Sequence, residues 1–187
     1  MKVRRNKEEI KTEVKFRNTV KAKANPDGLK IACVFSCPGQ EEEKTGEFLS
    51  GVTGTNFITL INILNIKAPD IFSSVEKEKY HINNSSEHVY YEGYLNDNDG
   101  RSTPYILDIK SDENKNRLVS ELEGMSYVIA FGNDAEIALK NAGIGYIKAK
   151  CHLGTKGLNS LEYETSVTTE KKLEDIADDL IKKIQGC

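Results

Sequence analysis

The sequence predicts an α/β fold in which a mostly parallel sheet is covered by helices on both faces, and three observations predict it. Residues 29–35 and 127–132 are short, nearly continuous apolar runs rich in β-formers, as in strands buried on both sides. Helical periodicity follows, with Phe57, Leu60, Ile61 and Leu64 at i, i+3, i+4 and i+7. Strands and helices then alternate to the end of the chain, the pattern of parallel strands joined by crossover helices.

Along the chain, residues 8–23 carry Ile10, Val14 and Val20 among charges and are expected to form a helix on the outside of the domain. Asn25-Pro26-Asp27-Gly28 is turn chemistry that ends this extension, so residues 1–28 are read as a basic helical extension and 29–187 as the domain. After the first strand, Ser36-Cys37-Pro38-Gly39 closes it, and Thr53 or Thr55 is expected to cap the helix that carries Phe57. Residues 79–84 read as a more polar second strand, which residues 89–91 extend or pair with. Residues 95–103 read as a surface loop. Residues 112–123 are helical, and Gly124 stands where a left-handed residue belongs. After the strand at 127–132, Asn133-Asp134-Ala135-Glu136 starts a helix with a cap and an acidic first turn, and Gly143 ends it. Residues 146–150 form a last core strand that delivers Cys151 and His152 to its carboxyl end. The clearest helix comes last, with Leu173, Ile176, Ala177, Leu180, Ile181 and Ile184 on one face and Lys182 and Lys183 in its last turn.

Composition narrows the function classes. A chain of 187 residues with 38% hydrophobic and 29% charged residues buries a sizeable core without disulfides or metal. The net charge of −3 argues against a protein coated in basic charge, since non-specific nucleic-acid affinity comes mainly from Lys and Arg on phosphates. Local charge is another matter: the first 23 residues hold Lys2, Arg4, Arg5, Lys7, Lys11, Lys15, Arg17, Lys21 and Lys23. The four cysteines, Cys33, Cys37, Cys151 and Cys187, make no paired short spacings, and no apolar run resembles a signal peptide or a membrane span. A reducing, cytoplasmic setting is the simplest expectation.

In open parallel sheets the ligand sits beyond the carboxyl ends of the strands. Three residue groups converge there: 36–40, Asn83 with Asn84, and 152–159. The first opens a loop with four glycines, Gly39, Gly46, Gly51 and Gly54, which let backbone approach a ligand and leave N–H donors for an anionic oxygen.

The order of these motifs resembles the uracil-DNA glycosylase superfamily, closest to the branch whose first motif reads GE-x-PG-x-x-ED-x-x-G-x-PF-x-G-x-x-G. Here Pro38-Gly39, the acidic residues Glu41 to Glu43, Lys44-Thr45-Gly46 and Gly51-Val52-Thr53-Gly54 carry the likeness. Ile82-Asn83-Asn84 resembles the strand ending in the pyrimidine-reading Asn, with Asn84 the better match. Val128-Ile129-Ala130-Phe131-Gly132-Asn133-Asp134-Ala135 resembles the family's hydrophobic strand, Gly and x-x-Ala, and His152-Leu153-Gly154 its His-Pro-Ser motif.

The resemblance implies a three-layer α/β/α domain with a central four-stranded sheet, acting as a monomer on a pyrimidine flipped out of single- or double-stranded DNA. It implies hydrolysis of the N-glycosidic bond, without metal or diffusible cofactor. His152 and Ser36 are then the expected catalytic residues; Cys37, Pro38, Gly39, Gln40, Phe48, Leu49 and Asn84 surround the base; Thr53, Leu153, Gly154, Thr155, Lys156 and Leu158 meet DNA. Leu153 or Leu158 is expected to wedge into the space a flipped base leaves, and Thr155 and Lys156 to meet phosphates.

Two departures from the family pattern stand out. The position of the acidic or amide water activator before Pro-Gly holds Ser36 and Cys37, and the stacking aromatic aligns with Leu49, beside Phe48. The cysteine set of the branch's iron–sulfur cluster is absent, and core packing is the expectation for Cys33. A catalytically silent binder of flipped bases is the alternative reading. A phosphate-using small-molecule enzyme is weaker, since neither a Walker-type Lys-Ser/Thr nor the Rossmann glycine spacing is present.

Overall fold

The structure, a computed structural model, describes residues 18–22, 25, 27–92, 101–163 and 165–186. Its elements are β1 (Ile31–Phe35), α1 (Gln40–Thr45), α2 (Val52–Lys67), β2 (His81–Asn84), α3 (Ile106–Ile109), α4 (Asp112–Glu121), β3 (Tyr127–Ala130), α5 (Asn133–Ala142), β4 (Ile147–Lys148), α6 (Thr155–Asn159) and α7 (Thr169–Gln185). The four strands form one sheet in the order β2-β1-β3-β4, and every pairing is parallel. Helices cover both faces, giving the expected three layers. No described helix is long and apolar enough to cross a membrane.

Alternation along β1 builds two unlike cores. Ile31, Cys33 and Phe35 join Phe57, Leu60, Ile61 and Leu64 of α2 and Leu173, Ile176 and Leu180 of α7 on one face. Ala32 and Val34 join Ala130, Leu118 of α4, and Ala135, Ala138 and Leu139 of α5 on the other. The first face is thick with large side chains; the second mixes alanines with Ile109, Leu118, Leu122 and Leu139.

Several expectations are corrected. The segment predicted as an outer helix lies mostly outside the described residues, but residues 18–20 are extended rather than helical: Thr19 bridges His88 antiparallel, and Val20 N–H donates to the Glu87 carbonyl at 3.0 Å. Residues 89–91 are not a strand. Their amides serve other segments, Val89 N–H donating to Asn18 and Tyr90 N–H to Pro38, both at 2.9 Å. Gly51, not Thr53 or Thr55, is the N-cap of α2, so both threonines lie inside the helix. The strand predicted over 146–150 shortens to two residues because β3 alone pairs with it, although Ala149 N–H still reaches the Ala130 carbonyl at 3.0 Å. Residues 155–159 form a helical turn instead of a loop. The predicted loop at 95–103 lies mostly outside the described residues.

Candidate active site

The carboxyl ends of the strands gather the chemistry. Phe35 and Asn84 are register partners, so both side chains leave the sheet on the α2 face. Phe35 stacks on Phe131 with centroids 4.8 Å apart and meets the His152 ring edge-on at 6.0 Å. Asn84, these two phenylalanines and His152 therefore occupy one rim.

His152 is seated with little freedom. A Cβ at Gly132, whose φ is +98°, would lie 3.3 Å from His152 Cβ; one at Gly154 would lie 3.0 Å from Nδ1; one at Gly157 would lie 2.1 Å from the His152 carbonyl oxygen. The three glycines are thus places where the histidine and its peptide occupy side-chain space. Gly154 N–H donates to His152 Nδ1 at 2.9 Å. A ring nitrogen that accepts carries no proton, so in the neutral ring the hydrogen sits on Nε2, which becomes a donor. Burial holds the His152 pKa below its ordinary value, against the pull of the nearby Asp134 carboxylate. The ring is neutral at pH 7.

Burial also lowers His81, whose Nε2 is enclosed without a partner, with Glu121 opposing the shift. Both groups are neutral when folded and bind a proton near pH 6.5 when unfolded, so acid favours the unfolded chain. Stability is therefore expected to be full above about pH 6.5 and to fall as pH drops through the folded pKa values. Thermal melts over this range check it, and His81→Leu with His152→Leu should flatten the slope. Glu87, raised by burial, works in the opposite direction at lower pH.

Asn83 and Asn84 divide their roles. Asn83 is consumed by the fold: its Nδ2 donates to Glu121 at 2.7 Å, and its Oδ1 accepts from Arg117 Nη1 and from Asn84 N–H, both at 2.8 Å. Arg117 Nη2 also donates to the Asn84 carbonyl at 2.8 Å. The Asn84 side-chain amide, on a residue only 5% exposed, makes no hydrogen bond among the described residues. It is the amide free to read a ligand.

The first loop differs from expectation. Gly39 N–H already donates to Glu42 Oε2 at 3.1 Å, so the main-chain donor expected there is in use. Gln40, next along, has no acceptor for its N–H among the described residues. Pro38 is buried and its carbonyl is held by Tyr90. Cys37 turns its thiol toward the Ser102 carbonyl, 3.8 Å away, and burial aided by Asp134, Glu42 and Asp108 pushes it up to about 12. It stays protonated and is not a nucleophile. Among the described residues no group of His, Cys, Asp and Glu is arranged to hold a metal ion.

Leu49 is a core residue, held at φ 57° beside Gly54, where a Cβ would lie 1.8 Å from the Leu49 carbonyl. Phe48 stays half-buried and lines a cavity of about 230 Å³ with Tyr80, Ile82, Lys21 and Lys77. That cavity lies toward the β2 edge; His152, Gly39 and Asn84 do not wall it.

The wedge expected of Leu153 or Leu158 is also corrected. They are 0% and 3% exposed and belong to the α2 and α7 core, because Asn56 Nδ2 donates to the Leu153 carbonyl at 2.7 Å and draws this loop onto α2. Thr155 and Lys156 are exposed at the start of α6, and Thr53 Oγ1 approaches the Cβ position of Gly154 at 3.4 Å, so the α2 and α6 starts adjoin.

One residue escaped the sequence reading. Ser36 Oγ donates to Asp134 Oδ2 at 2.6 Å, across 98 residues of sequence. The spacing gave Asp134 an adequate explanation as a first-turn acid on a helix dipole. The signal available was indirect: Ser36, expected as a catalytic residue, has no carboxylate beside it in sequence.

The architecture defines a three-layer α/β/α protein with a histidine-bearing rim at the carboxyl edge of a parallel sheet. No family model and no curated protein matches the chain.

Proposed function

We propose that this protein is a DNA glycosylase that hydrolyses the N-glycosidic bond of uracil, or of a related modified pyrimidine, flipped out of DNA. The observation that carries the reading is His152: neutral, locked as the Nε2–H tautomer by Gly154, and set on the same rim as the buried Asn84, whose amide makes no hydrogen bond among the described residues.

When the bond between sugar and base breaks, the sugar gains positive charge and the base leaves as an anion. A neutral imidazole N–H stabilises the departing 2-oxygen without first having to lose a proton, and a fixed donor in a partly desolvated site is worth more than one in water. The Gln40 N–H adds a main-chain donor at the start of α1. Asn84 offers a donor and an acceptor to the polar edge of the pyrimidine. The buried Leu49 offers no stacking surface, and Thr53, Thr155 and Lys156 meet the phosphates.

Incubation with uracil-containing single- and double-stranded oligonucleotides, followed by alkaline cleavage, is expected to reveal abasic sites at uracil. Parallel substrates with 5-hydroxymethyluracil define the range of bases accepted. Salt-sensitive DNA binding without abasic product would make the chain a reader of flipped bases; neither binding nor cleavage would overturn both readings.

A further inference from the structure

We propose that Ser36 and Asp134 act as one proton acceptor, the hydroxyl taking the proton of the attacking water while handing its own to the carboxylate. The inference deepens the glycosylase reading and rests on it. Hydrolysis needs somewhere for the water proton to go, and a serine hydroxyl alone cannot hold it at neutral pH. At 2.6 Å the Ser36 Oγ to Asp134 Oδ2 contact is a short, charge-assisted hydrogen bond. With its hydrogen committed to Asp134, Ser36 Oγ presents lone pairs, so a water at this point is held through its own hydrogen.

The scaffold fixes both partners. The Ser36 carbonyl accepts from Ser86 N–H at 3.2 Å and from the Ser85 hydroxyl, and the preceding Phe35 carbonyl accepts from Ser85 N–H at 2.8 Å. Only the side-chain rotation of Ser36 remains open. Asp134 stands in the first turn of α5, two residues after Gly132, against which His152 packs, so the carboxylate enters the same rim from the neighbouring strand.

Other acids near the loop are committed elsewhere. Glu41 pairs with Lys44 at 2.9 Å, Glu42 caps Gly39, and Glu43 accepts from Asn18 at 2.6 Å and from the Tyr91 hydroxyl at 2.9 Å.

The step balances. The C1′–N1 bond breaks and its electron pair leaves with the base; the water oxygen bonds C1′; the water proton moves to Ser36 Oγ and the Ser36 proton to Asp134 Oδ2. The products are an abasic sugar, a uracil anion held by His152 and a neutral Asp134, which solvent then deprotonates as the base takes up a proton. Before the step, the negative carboxylate also favours the sugar cation.

The test is single-turnover excision from a uracil oligonucleotide by the full chain. Asp134→Asn is expected to slow the chemical step by about 10²-fold, within the range of general base catalysis, and to leave the Kd for uracil DNA within about twofold. Ser36→Ala should also slow it, and the double variant should be no slower than the slower single one, because the two side chains do one job. Ser36→Asp combined with Asp134→Asn moves the carboxylate to the loop while the new amide keeps a donor facing it, and should recover excision relative to Asp134→Asn alone. Wild-type rate in Asp134→Asn, or fully multiplicative losses in the double variant, would overturn the relay while leaving the glycosylase reading intact. No abasic product from the wild-type chain would remove both.

Discussion

His152→Leu is expected to lower uracil excision by about 10²–10³-fold, the cost of removing one donor aimed at a developing oxyanion. Leucine fills much of the space the imidazole occupies against Gly132, Gly154 and Phe35, so packing changes less than chemistry. What disappears is the Nε2–H that the Gly154 contact enforces. His152→Gln, which keeps an N–H at similar reach, should retain part of the rate. DNA affinity is expected to hold in both variants, since the exposed Thr155 and Lys156 are untouched. Single-turnover rates and binding isotherms separate the two quantities. A histidine that merely packs would give His152→Leu the wild-type rate, and that result would remove the imidazole from the mechanism.

Gly157→Ala is expected to damage site and stability together. Its Cβ would fall 2.1 Å from the His152 carbonyl oxygen and 2.8 Å from the carbonyl carbon, both backbone atoms that cannot swing aside. The loop or α6 must move. The penalty sits toward the upper end of the roughly 1–3 kcal/mol seen for overpacking. At about 2–4 °C per kcal/mol in a chain of this size, that is a Tm drop of about 6–12 °C. Excision should fall with it, because the displaced peptide carries His152. Gly145→Ala, whose Cβ would meet nothing within 4 Å, is the matched control and should leave both measurements nearly unchanged. A Gly157→Ala protein that melts and reacts like wild type would show that the loop is free to relax.

The parts of this fold that the sequence disclosed are those decided by local pattern. Residues 29–35 and 127–132 read as buried strands because the sheet is covered on both faces, and the last helix announced its buried stripe through Leu173, Ile176, Leu180 and Ile184. Gly143 and Gly124 fell where φ is +72° and +75°. The parts that were hidden depend on contacts between distant segments. α6 has five residues with a glycine in the middle, too short for periodicity, and its form follows from packing on α2. Leu153 was expected at the surface as a wedge, yet a hydrogen bond from Asn56 draws its loop onto α2 and the side chain is buried. The stretch around Tyr90 has strand-like composition, but its amides are taken by Pro38 and Asn18. For the site, His152, Asn84 and the glycine loop were legible as residue types at strand ends; the Ser36–Asp134 pairing was not, because no spacing rule joins positions in different crossover units.

The alanines between α5 and the sheet bear mechanically on that pair. Where α5 meets the sheet, Ala32, Ala130, Ala135 and Ala138 set a close approach beside Leu139. A bulkier residue at Ala135 or Ala138 would lift the helix outward as a rigid rod, and the short arm of Asp134 has no slack with which to follow Ser36. Residues remote from the rim thereby set the distance across it.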